Sequence, residues 1–216
     1  MKDSFAEHLR LMLITDRQLF GTEPAASERL LEAVEAALEG GVTAVQLREP
    51  ELSARELYEL ALPLREMTKQ RGAALIVNDR IDVALAAEAD AAQLGWRSLE
   101  VKAARAAAGQ RLKIGFSAHS LADAQRAEEE GADYLILGPI FPTPSKAGLV
   151  EVVGLWQLAK ITYDVKLPII GVGGIDSGNA VYVIDSGAKG VAVIRAILDQ
   201  DDPARAAREL DAQIGR

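Results

Sequence analysis

Eight short apolar segments alternate with segments of helical periodicity along the chain, and this alternation constrains the fold more than any other feature. The apolar segments are residues 11–15, 43–47, 73–77, 91–94, 112–117, 133–137, 167–172 and 190–194. The clearest helical segments are residues 26–39, 53–70, 121–130, 179–186 and 202–214. Strands joined by helical crossovers pair in parallel, and continuously apolar strands are buried on both faces of their sheet.

This pattern predicts an α/β protein, a single (β/α)₈ TIM barrel that spans residues 1–216. The alternative is an open doubly wound sheet, but such sheets usually stop at about five or six strands, so the count favours the barrel. Glycines lie between helix ends and the next strands, where we expect turns that need a left-handed residue. These glycines are Gly40, Gly41, Gly131, Gly187 and Gly190.

Charge and cysteine content narrow the function classes. With a net charge of −8, the chain is not expected to bind nucleic acid, and local positive groups must hold any anionic substrate. The absence of cysteine excludes disulfides, thiolate nucleophiles and Cys-ligated zinc. The first ten residues lack the apolar segment of a signal peptide, and no apolar run is long enough to span a membrane. We therefore expect a cytoplasmic protein without membrane contact.

The loops that follow the strands form the active face of such barrels. Gln46 and Arg48 alternate at the end of the second segment, so both are expected to face the barrel interior near its mouth. A guanidinium there binds phosphate or pyrophosphate through two hydrogen bonds. The structural alternative is an internal ion pair between Arg48 and either Glu49 or Asp79.

Polar residues also follow the third and fifth segments. Asp79 is either the N-cap of the next helix or a ligand of Mg²⁺, a cation that prefers carboxylate oxygens. One of Ser117 and Ser120 is expected to cap the helix that follows the fifth segment. His119 lies between them, and it is either a proton shuttle or a structural residue.

The loop at residues 138–148 contains three prolines, and it presents Thr143, Ser145 and Lys146 at its tip. Prolines lower the cost of ordering a loop, so this segment has the character of a preorganised anion site. One glycine-rich stretch, at residues 171–175, lies at the end of the seventh segment. A second, at residues 190–194, coincides with the eighth segment. Barrels commonly bind phosphate at these two strands.

On these motifs the sequence resembles the thiamin phosphate synthase/TenI family over nearly the whole chain. The motifs are Leu13-Ile14-Thr15-Asp16, Gln46-Leu47-Arg48-Glu49, Val77-Asn78-Asp79-Arg80, Ser117-Ala118-His119-Ser120, Gly138-Pro139-Ile140-Phe141-Pro142-Thr143 and the two glycine segments. The resemblance implies a (β/α)₈ fold and a role in thiamin biosynthesis. Family synthases join a pyrimidine pyrophosphate to a thiazole phosphate and release pyrophosphate, with Mg²⁺ as cofactor.

The resemblance also implies roles for individual residues. The residues implied to hold the pyrophosphate are Gln46, Arg48, Asn78 and Lys146. Those implied to contact the thiazole phosphate are Thr143 and Ser145, together with the backbone near Gly173, Gly174 and Ile194. Asp79 is implied as the Mg²⁺ ligand, and Ser117 as part of the pyrimidine pocket. A homodimer or higher homo-oligomer is implied as well.

The chain departs from the synthase pattern at several positions. Synthases usually have lysine at the position of Pro50, histidine at Gln93 and a second metal-binding aspartate at Ser98. Arg195 stands where the family usually has serine. The TenI branch, which includes a thiazole tautomerase that needs no metal, resembles the chain better at Gln93 and Ser98.

The function predicted first is therefore a TenI-like thiazole tautomerase without a cofactor. Its phosphate would be anchored by the loops of the seventh and eighth strands, and Arg48 and Lys146 would hold the remaining anion. His119 would relay the proton, because the histidine that the tautomerase uses falls at Pro139. The alternative is a Mg²⁺-dependent thiamin phosphate synthase, and the second alternative is a non-catalytic, phosphate-ligand-binding regulatory protein.

Overall fold

The computed structural model describes residues 4–23, 25–143 and 151–215. Eight parallel strands form a closed barrel in chain order, and the last strand pairs with the first. The predicted (β/α)₈ fold is confirmed. No helix in the described ranges combines the length and the apolar character that a membrane crossing requires.

The strands overlap all eight predicted segments. They are β1 (Leu11–Ile14), β2 (Ala44–Leu47), β3 (Ala74–Asn78), β4 (Ala91–Leu94), β5 (Lys113–Ala118), β6 (Tyr134–Leu137), β7 (Ile169–Val172) and β8 (Gly190–Val193). The α-helices of the described ranges are α1 (Ala25–Glu39), α2 (Ala54–Arg71), α3 (Ile81–Ala86), α4 (Val101–Ala108), α5 (Leu121–Glu129), α6 (Gly154–Asp164), α7 (Ala180–Asp185), α8 (Arg195–Leu198) and α9 (Pro203–Ile214). Within the same ranges, 3₁₀ helices span Ser4–Leu9 and Arg17–Phe20.

The helix ends follow local chemistry. At the start of α2, the Glu56 N–H donates to the Ser53 hydroxyl, and the Glu56 carboxylate accepts the Ser53 N–H at 2.8 Å. This capping box satisfies two of the N–H groups that a helix start leaves unpaired. Helix α9 begins with a simple side-chain cap, in which the Asp202 carboxylate accepts the Arg205 N–H at 2.9 Å.

The glycines before the strands serve two different purposes. Gly41, Gly131 and Gly187 have φ values of 106°, 90° and 94°, as predicted for left-handed turns. The same prediction is wrong for Gly40 and Gly190, which do not have positive φ. A Cβ at Gly40 would lie 2.4 Å from the Ala204 carbonyl oxygen, and one at Gly190 would lie 1.9 Å from that of Leu9. Close packing, rather than backbone conformation, requires glycine at these two positions.

The hydrophobic core has two layers. The outer layer lies between the sheet and the surrounding helices and includes Leu13 and Leu75. The inner layer fills the barrel and includes Met12, Ile76 and Tyr134, all fully buried. Because successive strand residues point to opposite faces, adjacent residues such as Met12 and Leu13 belong to different layers. The barrel interior is therefore packed, and a ligand can enter only at an end of it.

The 3₁₀ helix Ser4–Leu9 supplies residues to the inner layer. Leu9 is fully buried there, and the ring of Phe5 packs against that of Tyr134 with 5.7 Å between the ring centres. This segment precedes β1, so it covers the end of the barrel at which the strands begin. The opposite end, where the strands finish, remains for the functional site.

Candidate functional site

Polar side chains interrupt the apolar interior near the carboxyl ends of β2, β4 and β5. Gln46 is 2% exposed and Gln93 is 1% exposed. The Gln93 amide donates to the Ser117 hydroxyl at 3.0 Å. Gln46 therefore faces the interior, as predicted. Gln93 reaches Ser117, although the sequence predicted no site role for it.

Arg48 differs from its prediction. Strand β2 ends at Leu47, and Arg48 is exposed at the mouth rather than buried in the interior. Its backbone N–H donates to the Thr15 hydroxyl at 2.9 Å. Its guanidinium forms no ion pair with any described residue, so the predicted alternative of a bond to Glu49 or Asp79 is wrong. The arginine therefore presents to the solvent at the mouth a positive charge that no described residue pairs with.

Beside Arg48, Glu49 is the buried member of this segment, with 4% of its surface exposed. Burial raises the pKa of its carboxyl to about 7, and hydrogen bonds from the Thr15 hydroxyl and the Arg17 N–H oppose that rise. Among the described residues, Glu49 Oε1 and Arg17 Nε have no hydrogen-bond partner. This cluster is not predicted by the sequence. Strand β2 ends at Leu47, so the alternation of the strand does not extend to Glu49 and gives no signal for its burial.

Asp79 follows β3 with a φ of 65°, an unusual conformation for a residue with a side chain. Its N–H donates to the Gln93 carbonyl at 2.8 Å, which holds the strained backbone in place. Helix α3 begins at Ile81 without a side-chain cap, so the N-cap interpretation of Asp79 is wrong. The carboxylate is exposed and accepts no hydrogen bond from the described residues. Strain of this kind concentrates at functional positions.

The residues at this edge fit a Mg²⁺ ion that is held by one protein carboxylate, and not one enclosed by protein ligands. Ser98, at the position of the second expected carboxylate, instead accepts the Gly95 N–H at 2.7 Å and stabilises its own loop. Within the described ranges, no three His, Cys, Asp or Glu side chains are grouped to hold an ion. Mg²⁺ commonly binds one or two carboxylates and completes its shell with water and substrate phosphates. Asp79 fits that manner, and an all-protein cage does not.

His119 and Ser120 have structural partners. The Nδ1 atom of His119 contacts the Gly138 carbonyl oxygen, which can only accept, so Nδ1 carries the proton. This contact ties the end of β5 to the loop that follows β6. The Ser120 hydroxyl accepts the Asp123 N–H at 3.1 Å and caps α5. Of the two predicted capping serines, Ser120 is therefore the cap, and Ser117 is left for the site.

Glycines lie across the mouth from Arg48 and Asp79. Gly173 and Gly174 have φ values of 95° and 65°. A Cβ at Gly173 would lie 2.6 Å from the Pro139 Cβ, and one at Gly174 would lie 2.7 Å from the Pro142 carbonyl oxygen. The N–H groups of both glycines donate to no described residue. They are therefore available to an anion.

Ile194 ends the eighth strand region and immediately precedes the one-turn helix α8. The first N–H groups of a helix have no intrahelical partner. Thr143 is half-buried at the end of the described part of the loop after β6. Ser145 and Lys146 lie outside the described residues.

Barrels that carry unpaired cations and free backbone amides at the carboxyl ends of their strands form a class of binders of phosphorylated ligands. The family model described as thiamine monophosphate synthase matches residues 11–197. The chain therefore belongs to the thiamine monophosphate synthase family. This confirms the family resemblance seen in the sequence.

Similar proteins carry the same description. A thiamine-phosphate synthase of Moorella thermoacetica is 46% identical over 206 residues, which cover 95% of this chain and 96% of that protein. A thiamine-phosphate synthase of Pyrococcus furiosus is 43% identical over 202 residues, which cover 94% of this chain and 93% of that protein. A solved structure of a thiamine phosphate pyrophosphorylase from P. furiosus superposes with a TM-score of 0.87 at 40% identity and covers 97% of both chains.

The prediction of a TenI-like tautomerase is wrong. The similar proteins, at 43% and 46% identity over about the whole chain, are described as synthases. The prediction gave weight to a few departures, chiefly Pro50 and Ser98. A single carboxylate suffices where substrate phosphates complete a Mg²⁺ shell, so Ser98 does not by itself exclude metal-dependent chemistry.

Proposed function

We propose that this chain is a thiamine-phosphate synthase, which joins hydroxymethylpyrimidine pyrophosphate to a thiazole phosphate and releases pyrophosphate. One observation carries the proposal: groups suited to anions lie on two sides of the same mouth. Arg48 and Asp79 follow β2 and β3, whereas the free amides of Gly173 and Gly174 follow β7. In a ring of eight strands β3 and β7 are opposite each other. A reaction between two phosphorylated substrates requires such a pair of sites.

The side at β2 and β3 would bind the pyrophosphate. The unpaired Arg48 guanidinium can bind its oxygens in a bidentate manner, and the Asn78 amide can donate another hydrogen bond. Asp79 would hold Mg²⁺ together with pyrophosphate oxygens. Bound there, the ion supplies charge that stabilises the leaving pyrophosphate. Lys146 would add a further positive charge, as the family resemblance implies.

The side at β7 and β8 would bind the thiazole phosphate. The N–H groups of Gly173 and Gly174 approach an anion closely because no Cβ intervenes. The backbone at Ile194 and the start of α8 would contribute further donors. Thr143 and Ser145 would add hydroxyl contacts.

Ser117 lies at the carboxyl end of β5 and would contact the pyrimidine, whereas Gln46 would extend the pyrophosphate side at β2, as the family resemblance implies. With each phosphate held at its own side, the thiazole and the pyrimidine meet above the barrel interior. Holding two reactants in this way replaces a bimolecular encounter by a positioned one, which lowers the barrier. The proposed reaction requires no proton transfer by His119. The contact of its Nδ1 atom with the Gly138 carbonyl oxygen supports a structural role.

The test is the formation of thiamin phosphate from both substrates and Mg²⁺ by the purified protein. Wild type should turn over, and Asp79→Asn should lower kcat/KM by about a hundredfold or more, since it removes the metal carboxylate. Asp82→Asn is the matched control. This exposed carboxylate on α3 pairs with Arg80, and its substitution should change the rate by less than about twofold.

The absence of thiamin phosphate from folded wild-type protein would overturn the proposal. If calorimetry then showed that both substrates still bind, the phosphate-ligand-binding alternative would replace it. Equal losses in Asp79→Asn and Asp82→Asn would refute the specific role of Asp79.

A further inference from the structure

Gln93, Gly115 and Tyr134 form one row inside the barrel. Gln93 is directly opposite Gly115 in the pairing of β4 with β5, and Gly115 is opposite Tyr134 in the pairing of β5 with β6. A Cβ at Gly115 would lie 2.3 Å from Gln93 Oε1 and 2.2 Å from Tyr134 Cζ. The missing side chain at Gly115 therefore leaves the space in which the Gln93 amide lies across β5.

The direction of the Gln93 amide follows from its neighbours. Its nitrogen lies 3.0 Å from the Ser117 hydroxyl oxygen and 3.4 Å from the Leu94 carbonyl oxygen. A carbonyl oxygen only accepts, so an amide turned the other way would place two oxygens against each other. The nitrogen therefore faces Ser117, and the oxygen points towards the Tyr134 side of Gly115.

This direction decides what Ser117 can offer to a ligand. An amide nitrogen only donates, so the Ser117 oxygen accepts from Gln93, and its own O–H proton remains available. Ser117 is half-buried. Among the described residues, its hydroxyl forms a hydrogen bond only with Gln93. The hydroxyl can therefore donate its proton to a ligand in the mouth.

We infer that Gln93 is a positioning residue that holds Ser117 as a hydrogen-bond donor to the pyrimidine substrate. The substrate atom that faces Ser117 is then an acceptor, and a pyrimidine offers its ring nitrogens for this purpose. The inference rests on the proposed function for the identity of the substrate. Gln93 makes no contact with the ligand in this arrangement and acts through Ser117.

A double-mutant cycle in binding tests this inference. The variants are Gln93→Met, Ser117→Ala and the double variant, and titration calorimetry measures the Kd of the pyrimidine pyrophosphate and, separately, of inorganic pyrophosphate. Gln93→Met should raise the Kd of the pyrimidine compound about fivefold to tenfold, the value of one hydrogen bond. The Kd of inorganic pyrophosphate, which lacks the ring, should stay within about twofold.

The coupling between the two substitutions decides the matter. When Ser117 is already alanine, Gln93→Met should have no further effect on binding, because its route of action is gone. Effects that multiply in the double variant would overturn the inference, as would an equal loss of inorganic pyrophosphate binding. Since binding is measured rather than turnover, failure of the proposed synthase activity would remain distinguishable from failure of this inference.

Two further variants keep the test decisive. Gln93→His retains an N–H donor, so it should bind the pyrimidine compound within about twofold of wild type even if Gln93→Met fails to fold. A loss in Gln93→His as large as that in Ser117→Ala would refute the positioning role. Gln125→Met makes the same chemical change on the exposed face of α5 and should leave both Kd values unchanged.

Discussion

Replacing Glu49 by glutamine is expected to flatten the dependence of stability on pH. Burial raises the pKa of this carboxyl from 4.5 to about 7 in the folded protein. The folded protein therefore binds the proton more tightly than the unfolded chain does. Stability must then decline as the pH rises from about 4.5 to about 7, because the buried group is forced to ionise.

The size of the effect follows from the two pKa values. Each unit of difference corresponds to about 1.4 kcal/mol, so the rise from 4.5 to about 7 amounts to about 3 kcal/mol at pH 8. Glutamine occupies nearly the same volume and does not ionise. Its carbonyl oxygen can still accept the Arg17 N–H that Glu49 accepts at 2.9 Å.

The measurement is urea denaturation of wild type and Glu49→Gln at a series of pH values between about 4 and about 8, a range that contains the titration from 4.5 to about 7. The difference in free energy of unfolding between the two proteins should shift in favour of the variant by about 3 kcal/mol from the acid end to the alkaline end. Glu35→Gln, an exposed position on α1, is the control and should show a difference that is constant with pH. A constant difference for Glu49→Gln as well would refute the reasoning.

Two further substitutions test the mouth and the barrel interior. Arg48→Ala should raise the KM for the pyrimidine pyrophosphate by about tenfold or more, yet change the free energy of unfolding by less than about 0.5 kcal/mol, because the side chain is exposed and pairs with no described residue; a large loss of stability in denaturation would contradict this. Gly115→Ala should lower the free energy of unfolding by about 2 kcal/mol, since the added Cβ would meet Tyr134 and Gln93 within 2.3 Å; wild-type stability in the same denaturation assay would show that the barrel interior can yield there.

The sequence predicted which strand end or loop carries each site residue, but it did not predict the surroundings of the side chains. The alternation of apolar segments located Gln46, Asn78 and Ser117 at the carboxyl ends of strands, and the structure has them there. The same alternation was extended one residue too far, to Arg48, because β2 ends at Leu47. Where a strand stops depends on its neighbours in the sheet, and the period of a single segment does not contain that information.

Asp79 shows a similar limit. Its position before a helix suggested a cap, but its backbone has a positive φ, and the bond of its N–H to the Gln93 carbonyl holds that conformation. The partner lies on the next strand, so the strain is a property of the assembled sheet. The free carboxylate at the mouth follows from that strain and not from the tripeptide alone.

The sequence by itself determined the parallel barrel, the order of its elements and the motifs that follow its strands. Continuous apolar segments and helical periodicity are local patterns, and each occurs often enough along the chain to be recognised. Only the tertiary structure decided which of two adjacent residues is buried. It buries Glu49 against Thr15 and Arg17, and it leaves Arg48 exposed to solvent. It also brought Gln93 to Ser117 and placed Gly173 and Gly174, which follow β7, across the mouth from Asp79. These relations depend on closure of the barrel, which joins residues far apart in the chain, and the free energy of burying or pairing a polar group is defined only after that closure.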